Sequence, residues 1–153
     1  MTERPDLFSA VVLSLGMLDF VRLHVMPIGR VNVVEIGSMQ IEDEFRGLLA
    51  MSSYHHVKDG INYPAVLLQH GVNDGRVNVG QSNKMAARLM PATASCKPIL
   101  LDLEYEGGHG QGGTKAQQQR QLANLYVCLL QQAGRAEFQP AAAQACATET
   151  PRR

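Results

Sequence analysis

Two polar residues set among glycines are the strongest candidates for chemistry in this chain. Asp74 lies in His70-Gly-Val-Asn-Asp-Gly75, and His109 lies in Gly107-Gly-His-Gly-Gln-Gly-Gly113. A carboxylate and an imidazole are the acid and base of nucleophilic catalysis. A serine hydroxyl attacks well only when an imidazole takes its proton. A carboxylate on the other ring nitrogen holds the imidazole in the tautomer that can do so. Each residue also has a plainer reading. Asn73-Asp74-Gly75 is a good turn, in which Asp simply bonds the backbone, and a histidine beside glycines is often a loop residue.

The other polar clusters offer less. His55 and His56 are adjacent, so they do not point naturally at one ion, and no third ligand is suitably spaced. His24 and His70 show no partner pattern. Glu42, Asp43 and Glu44 form a solvated helix start. The glycine run 107–113 is not followed by the Gly-Lys-Ser/Thr of a phosphate loop. No metal and no cofactor is expected. Cys96, Cys128 and Cys146 are far apart and form no Cys-x-x-Cys pair, which reads most simply as reduced thiols in a cytoplasmic protein.

Positioning Asp74 and His109 requires a scaffold, and the hydropathy pattern supplies one. Ala10 to Leu15, Pro64 to Gln69 and Pro98 to Tyr105 are short apolar runs that read as strands, the first two buried on both faces. Val31 to Ile36 is β-prone, although it carries Asn32. Ile41 to Met51 and Val79 to Met90 read as helices, the second stopped by Pro91. Thr114 is a good N-cap. The helix that follows has an apolar stripe at Leu122, Leu125, Tyr126, Leu129, Leu130 and Ala133, and Gly134 closes it. Strands alternating with helices imply an α/β fold, a parallel sheet between covering helices in three layers. Sites in such sheets form at the carboxyl ends of strands, where Asp74 and His109 both fall.

Composition narrows the class. The chain has 153 residues, 45% of them hydrophobic, which suits one domain with a real core. Lys and Arg number 14 against 14 Asp and Glu, so the basic excess of a nucleic-acid binder is missing. The apolar stretch from Leu7 to Leu18 is too short to span a membrane, and Met1 to Asp6 lacks the basic start of a signal peptide. Residues 1–138 form the expected domain, and residues 139–153, rich in Ala, Gln, Thr and Pro, read as a disordered tail.

Several motifs, in order, carry a resemblance. Arg4-Pro-Asp-Leu-Phe8, Leu18-Asp19, Ser53-Tyr-His-His-Val57, Tyr63-Pro-Ala-Val-Leu67, Asn73-Asp-Gly-Arg-Val77, Lys84-Met-Ala-Ala-Arg-Leu89 and Gly107-Gly-His-Gly110 resemble the catalytic domain of prolyl oligopeptidase-type serine peptidases. The resemblance runs from about Glu3 to Gly134 and implies an incomplete α/β-hydrolase fold. Carried over by position, it makes Asp74 the triad acid and His109 the triad base. It makes Arg76 the residue that binds a carbonyl of the peptide substrate, a task suited to a permanently charged guanidinium. Val77 becomes a wall of the pocket for the residue before the scissile bond.

The departures are as informative. The family's Gly-x-Ser-x-Gly elbow precedes the Arg4–Phe8 segment, where only Met1, Thr2 and Glu3 stand, and the pattern occurs nowhere in the chain. The nearest imitation, Gly80-Gln-Ser-Asn-Lys84, lacks the second glycine. Asn32 falls about where proline-specific members carry a stacking tryptophan. The expectation is the C-terminal part of a peptidase catalytic domain, a fragment that does not hydrolyse peptides alone. The alternatives are a non-catalytic remnant or interaction module pairing with a separate N-terminal catalytic fragment, and an esterase-type α/β-hydrolase piece.

Overall fold

A computed structural model describes residues 1–27, 29–110 and 113–140. All but the start of the tail expected at 139–153 lies outside these residues.

Three parallel strands form one sheet in the order β1 (Ala10–Ser14), β2 (Ala65–Gly71), β3 (Ile99–Glu104). Val66 pairs with both Val11 and Ile99, and Gln69 with Ser14 and Asp102. β2 is buried along its whole length, as a central strand flanked on both sides should be. β1 is only half-buried, contrary to the expectation for Ala10 to Leu15. The reason is its position: it pairs with β2 alone among the described residues.

Alternation along β2 sends Val66, Leu68 and His70 to one face and Ala65, Leu67 and Gln69 to the other. Among the described residues four α-helices accompany the sheet: α1 (Gly29–Ile36), α2 (Glu42–Met51), α3 (Gly80–Ala92) and α4 (Lys115–Gln132). The first face of the sheet packs on α3. There Val66 and Leu68 join Met85, Ala86 and Leu89 in the core, together with Leu18, Val57 and Tyr63. Burying such side chains is worth roughly 1.5–3 kcal/mol each, so this face dominates stability. α4 covers the other face. Gln69 donates through Nε2 to the Gln121 carbonyl at 2.9 Å and to Asp102 Oδ2 at 3.2 Å. The three layers expected from the strand–helix alternation are present.

Several local expectations hold for physical reasons that the structure makes explicit. Thr114 caps α4 in a reciprocal capping box with Gln117. Gly134 adopts a left-handed φ of 75°. Its N–H bonds the Gln131 carbonyl while that of Arg135 bonds Leu130, the paired closure that ends helices at glycine.

Others do not hold. Val31 to Ile36 is helical in α1, not a strand. Gly29 packs so tightly on the Leu23 carbonyl that an added Cβ would stand 1.6 Å from its oxygen. That contact folds the segment back on the turn Leu23–Val25 and away from the sheet. Pro91 does not stop α3, which runs to Ala92. A proline this close to the end forfeits one hydrogen bond, and Thr93 still donates to Leu89 at 3.0 Å. The apolar stripe of α4 faces the sheet only in part: Leu125 and Leu130 are half-buried and Cys128 is buried, while Leu122 and Tyr126 are more than half exposed. Cys96 is disulfide-bonded, which corrects the reading of all three cysteines as reduced, and Cys128 is a free, buried thiol. No helix among the described residues is long and apolar enough to cross a membrane.

Candidate functional site

The carboxyl ends of β2 and β3 carry two loops that are stitched to each other. The Asn73 N–H donates to the Gly107 carbonyl at 3.0 Å, and its Nδ2 donates to the Tyr105 carbonyl at 2.8 Å. The Val72 N–H extends the β2–β3 ladder by bonding Glu104. Glu104 itself is buried and paired with Arg120 and Gln117 of α4, which anchors the end of β3. Gly110 takes a left-handed φ of 66° immediately after His109, a conformation that glycine adopts without strain.

These bonds bring Asp74 and His109 together. Nδ1 of His109 lies 2.8 Å from Oδ2 of Asp74. A carboxylate only accepts, so Nδ1 donates and Nε2 is left to act as a base in the neutral ring. Nε2 has no hydrogen-bond partner among the described residues. The His109 side chain is 32% exposed, whereas that of Asp74 is fully buried. The other carboxylate oxygen, Oδ1, accepts the N–H groups of Arg76 at 2.8 Å and Val77 at 2.9 Å. Burial opposes ionisation of Asp74. The Val77 N–H, the His109 ring and the Arg76 N–H outweigh it and hold the carboxyl below its ordinary range. The turn reading of Asn73-Asp74-Gly75 holds as well as the contact with the histidine, since Oδ1 serves the turn and Oδ2 bonds His109.

Arg76 is exposed, and its guanidinium bonds no described residue. Val77 is buried beneath it. A cavity of about 130 Å³ adjoins the loop, lined by Ser14, Leu15, His70, Gly108, Gly110 and Gln117. Leu15 holds a left-handed φ of 54°, unusual for a side chain of its size, at the tip of β1 beside this cavity.

The remaining histidines fall elsewhere. His56 is tied to the Leu49 carbonyl and to Glu3, and His55 to Ser52, so the pair belongs to a structural turn. No group of three metal-ligating side chains occurs among the described residues. Glu42 and Asp43 are exposed and pair with Arg46. His70 shows no partner pattern in the sequence, yet it is buried beside Asp74 and bonded on both nitrogens. The signal in the sequence is a polar residue near the carboxyl end of an otherwise apolar strand.

Comparison with known proteins gives this geometry a setting. The model of the prolyl oligopeptidase family matches residues 1–136. A prolyl endopeptidase of Dictyostelium discoideum is 32% identical over 127 residues, covering 81% of this chain and 17% of that protein. One from Elizabethkingia meningoseptica is 33% identical over 136 residues, covering 88% and 19%. Among solved structures, a prolyl endopeptidase superposes with a TM-score of 0.80 at 34% identity, over 86% of this chain and 19% of the other. Oligopeptidase B from Leishmania major superposes with a TM-score of 0.81 at 20% identity, over 87% and 19%, a likeness of fold. The chain spans under a fifth of the length of these relatives.

Proposed function

As this chain belongs to the prolyl oligopeptidase family, we propose that it supplies the acid and base of a serine-peptidase triad, with the nucleophile provided by a segment other than these 153 residues. The observation that carries this reading is the 2.8 Å bond between His109 Nδ1 and Asp74 Oδ2. In hydrolysis, His109 Nε2 takes the proton of the attacking serine and returns it to the leaving amine. Asp74 keeps the ring in the Nδ1–H tautomer and stabilises the imidazolium. The free guanidinium of Arg76 binds a substrate carbonyl, and Val77 walls the adjoining pocket. The small cavity lined by Gly108 and Gly110 flanks the loop that carries the base.

One feature favours a second reading, an interaction module. The outer edge of β1 has no pairing partner among the described residues, and an open parallel edge is a template for another strand. Reconstitution separates the two. The chain is mixed with a separately produced N-terminal catalytic fragment of a family member, chosen to carry the family's Gly-x-Ser-x-Gly elbow, then assayed for co-purification and for peptide cleavage. Cleavage by the mixture alone, reduced on the order of 10⁴-fold or more by His109→Ala, is expected. A stable complex that cleaves nothing overturns the catalytic reading in favour of the interaction module. The chain by itself is expected to resist a serine-directed fluorophosphonate, and stoichiometric labelling of one of its serines would contradict a nucleophile from elsewhere.

A further inference from the structure

His70 is the last histidine on β2 before the Asp74 loop, and its side chain is completely buried. Its Nε2 lies 2.8 Å from the Val77 carbonyl oxygen. A carbonyl has no proton to give, so Nε2 carries one and donates it. Its Nδ1 lies 2.7 Å from the Ser82 hydroxyl on α3, a group that either donates or accepts. The same Nε2 is 3.4 Å from Asp74 Oδ2, the oxygen that receives His109.

The arrangement closes a frame around one carboxylate. Val77 gives its N–H to Oδ1 of Asp74 and takes the His70 proton on its carbonyl. His70 is held from the helix side by Ser82, itself fully buried in α3. Oδ2 is thereby flanked by two imidazoles, one buried and one partly exposed. A buried polar network fixes geometry when each member is satisfied, and this one leaves neither His70 nitrogen unpaired.

We infer that His70, braced by Ser82, is a positioning residue that aims the Asp74 carboxylate at His109 and so fixes the tautomer of the base. This rests on the proposed pairing of Asp74 with His109. Ring tautomers are read directly by two-bond ¹H–¹⁵N correlations on the labelled 153-residue chain. In the native chain, His70 is expected as Nε2–H and His109 as Nδ1–H. His70→Phe keeps the bulk but removes the donor. It should lower the Nδ1–H to Nε2–H ratio of His109 about five-fold, the effect of losing one ordinary hydrogen bond's worth of restraint. His70→Gln, which places an amide N–H near the old Nε2, should restore most of that ratio. Ser82→Ala provides the same test should the Phe variant fail to fold, with a smaller shift in the same direction.

A merely structural histidine would change the unfolding midpoint and leave the His109 tautomer alone. An unchanged His109 ratio in a folded His70→Phe or Ser82→Ala chain overturns the inference while leaving the Asp74–His109 pairing intact. Native His109 found as Nε2–H would instead overturn the pairing itself.

Discussion

Gly71 ends β2 against the backbone of Gly108, so closely that a Cβ at residue 71 would stand 2.3 Å from the Gly108 carbonyl oxygen and 2.4 Å from that of Gly107. Both neighbours are backbone and cannot rotate aside. Gly71→Ala must therefore push the His109 loop away from the Asp74 loop, at about 1–3 kcal/mol for overpacking. Urea denaturation should show that loss, together with weakening of the Nδ1–H signature of His109. Gly75→Ala is the control, since nothing lies within 4 Å of a Cβ there, and it should stay within about 0.5 kcal/mol of the native chain.

Asp74 makes stability depend on acid. Its carboxyl is held below the ordinary range in the folded chain, so the unfolded chain binds the proton more tightly. The stabilisation is complete above the ordinary carboxylate range and is lost as pH falls through the lower, folded value. The native chain should lose this contribution below about pH 4, the usual range for Asp. Asp74→Asn has no such group, and its unfolding free energy should fall less steeply over the same acid interval.

Asp19 ties the segment after β1 to α3. Its side chain is 1% exposed and pairs with Lys84 of α3, whose Nζ also lies 4.5 Å from the centre of the Tyr54 ring. Gln81 Oε1 receives the N–H groups of Leu18 at 2.9 Å and Asp19 at 2.6 Å. Asp19→Ala removes a buried, hydrogen-bonded carboxylate and leaves the partly exposed Lys84 without its counter-charge, and should cost about 1–3 kcal/mol. Replacing both residues with apolar ones should recover much of that loss, which thermal denaturation of the three variants measures.

Cys128 is 5% exposed on the sheet-facing side of α4, and burial pushes its thiol pKa up. Little thiolate is available for attack. Iodoacetamide at pH 8 should modify Cys128 slowly in the native chain and rapidly in urea, as mass spectrometry would show.

The sequence disclosed what local chemistry controls. Short β-branched runs marked the three strands, Thr114 and Gly134 bounded α4, and glycine-flanked loops at strand ends marked Asp74 and His109. It concealed what neighbours decide. Val31, Val33 and Val34 favour strands by shape, yet the contact of Gly29 with Leu23 holds them in α1, a tertiary override of weak propensity. Leu122, Tyr126 and Leu129 repeat at helical spacing, but spacing says only that they share a side of α4. The sheet selected one edge of that stripe, around Leu125 and Cys128. His70 gave no sign of its partners because Ser82 and Val77 reach it only through the β2–α3 turn.

The strands that carry Asp74 and His109 are neighbours in a single ladder, and their loops are bonded to each other through Asn73, Tyr105 and Gly107. For protein engineering this makes the Asp74–His109 pair a portable cassette. A chimera joined anywhere ahead of β1 carries both residues and the bonds that register them as one block. Grafting it onto a hydrolase scaffold then becomes a problem of fitting a seam along β1, with the Asp74–His109 spacing already set inside the insert.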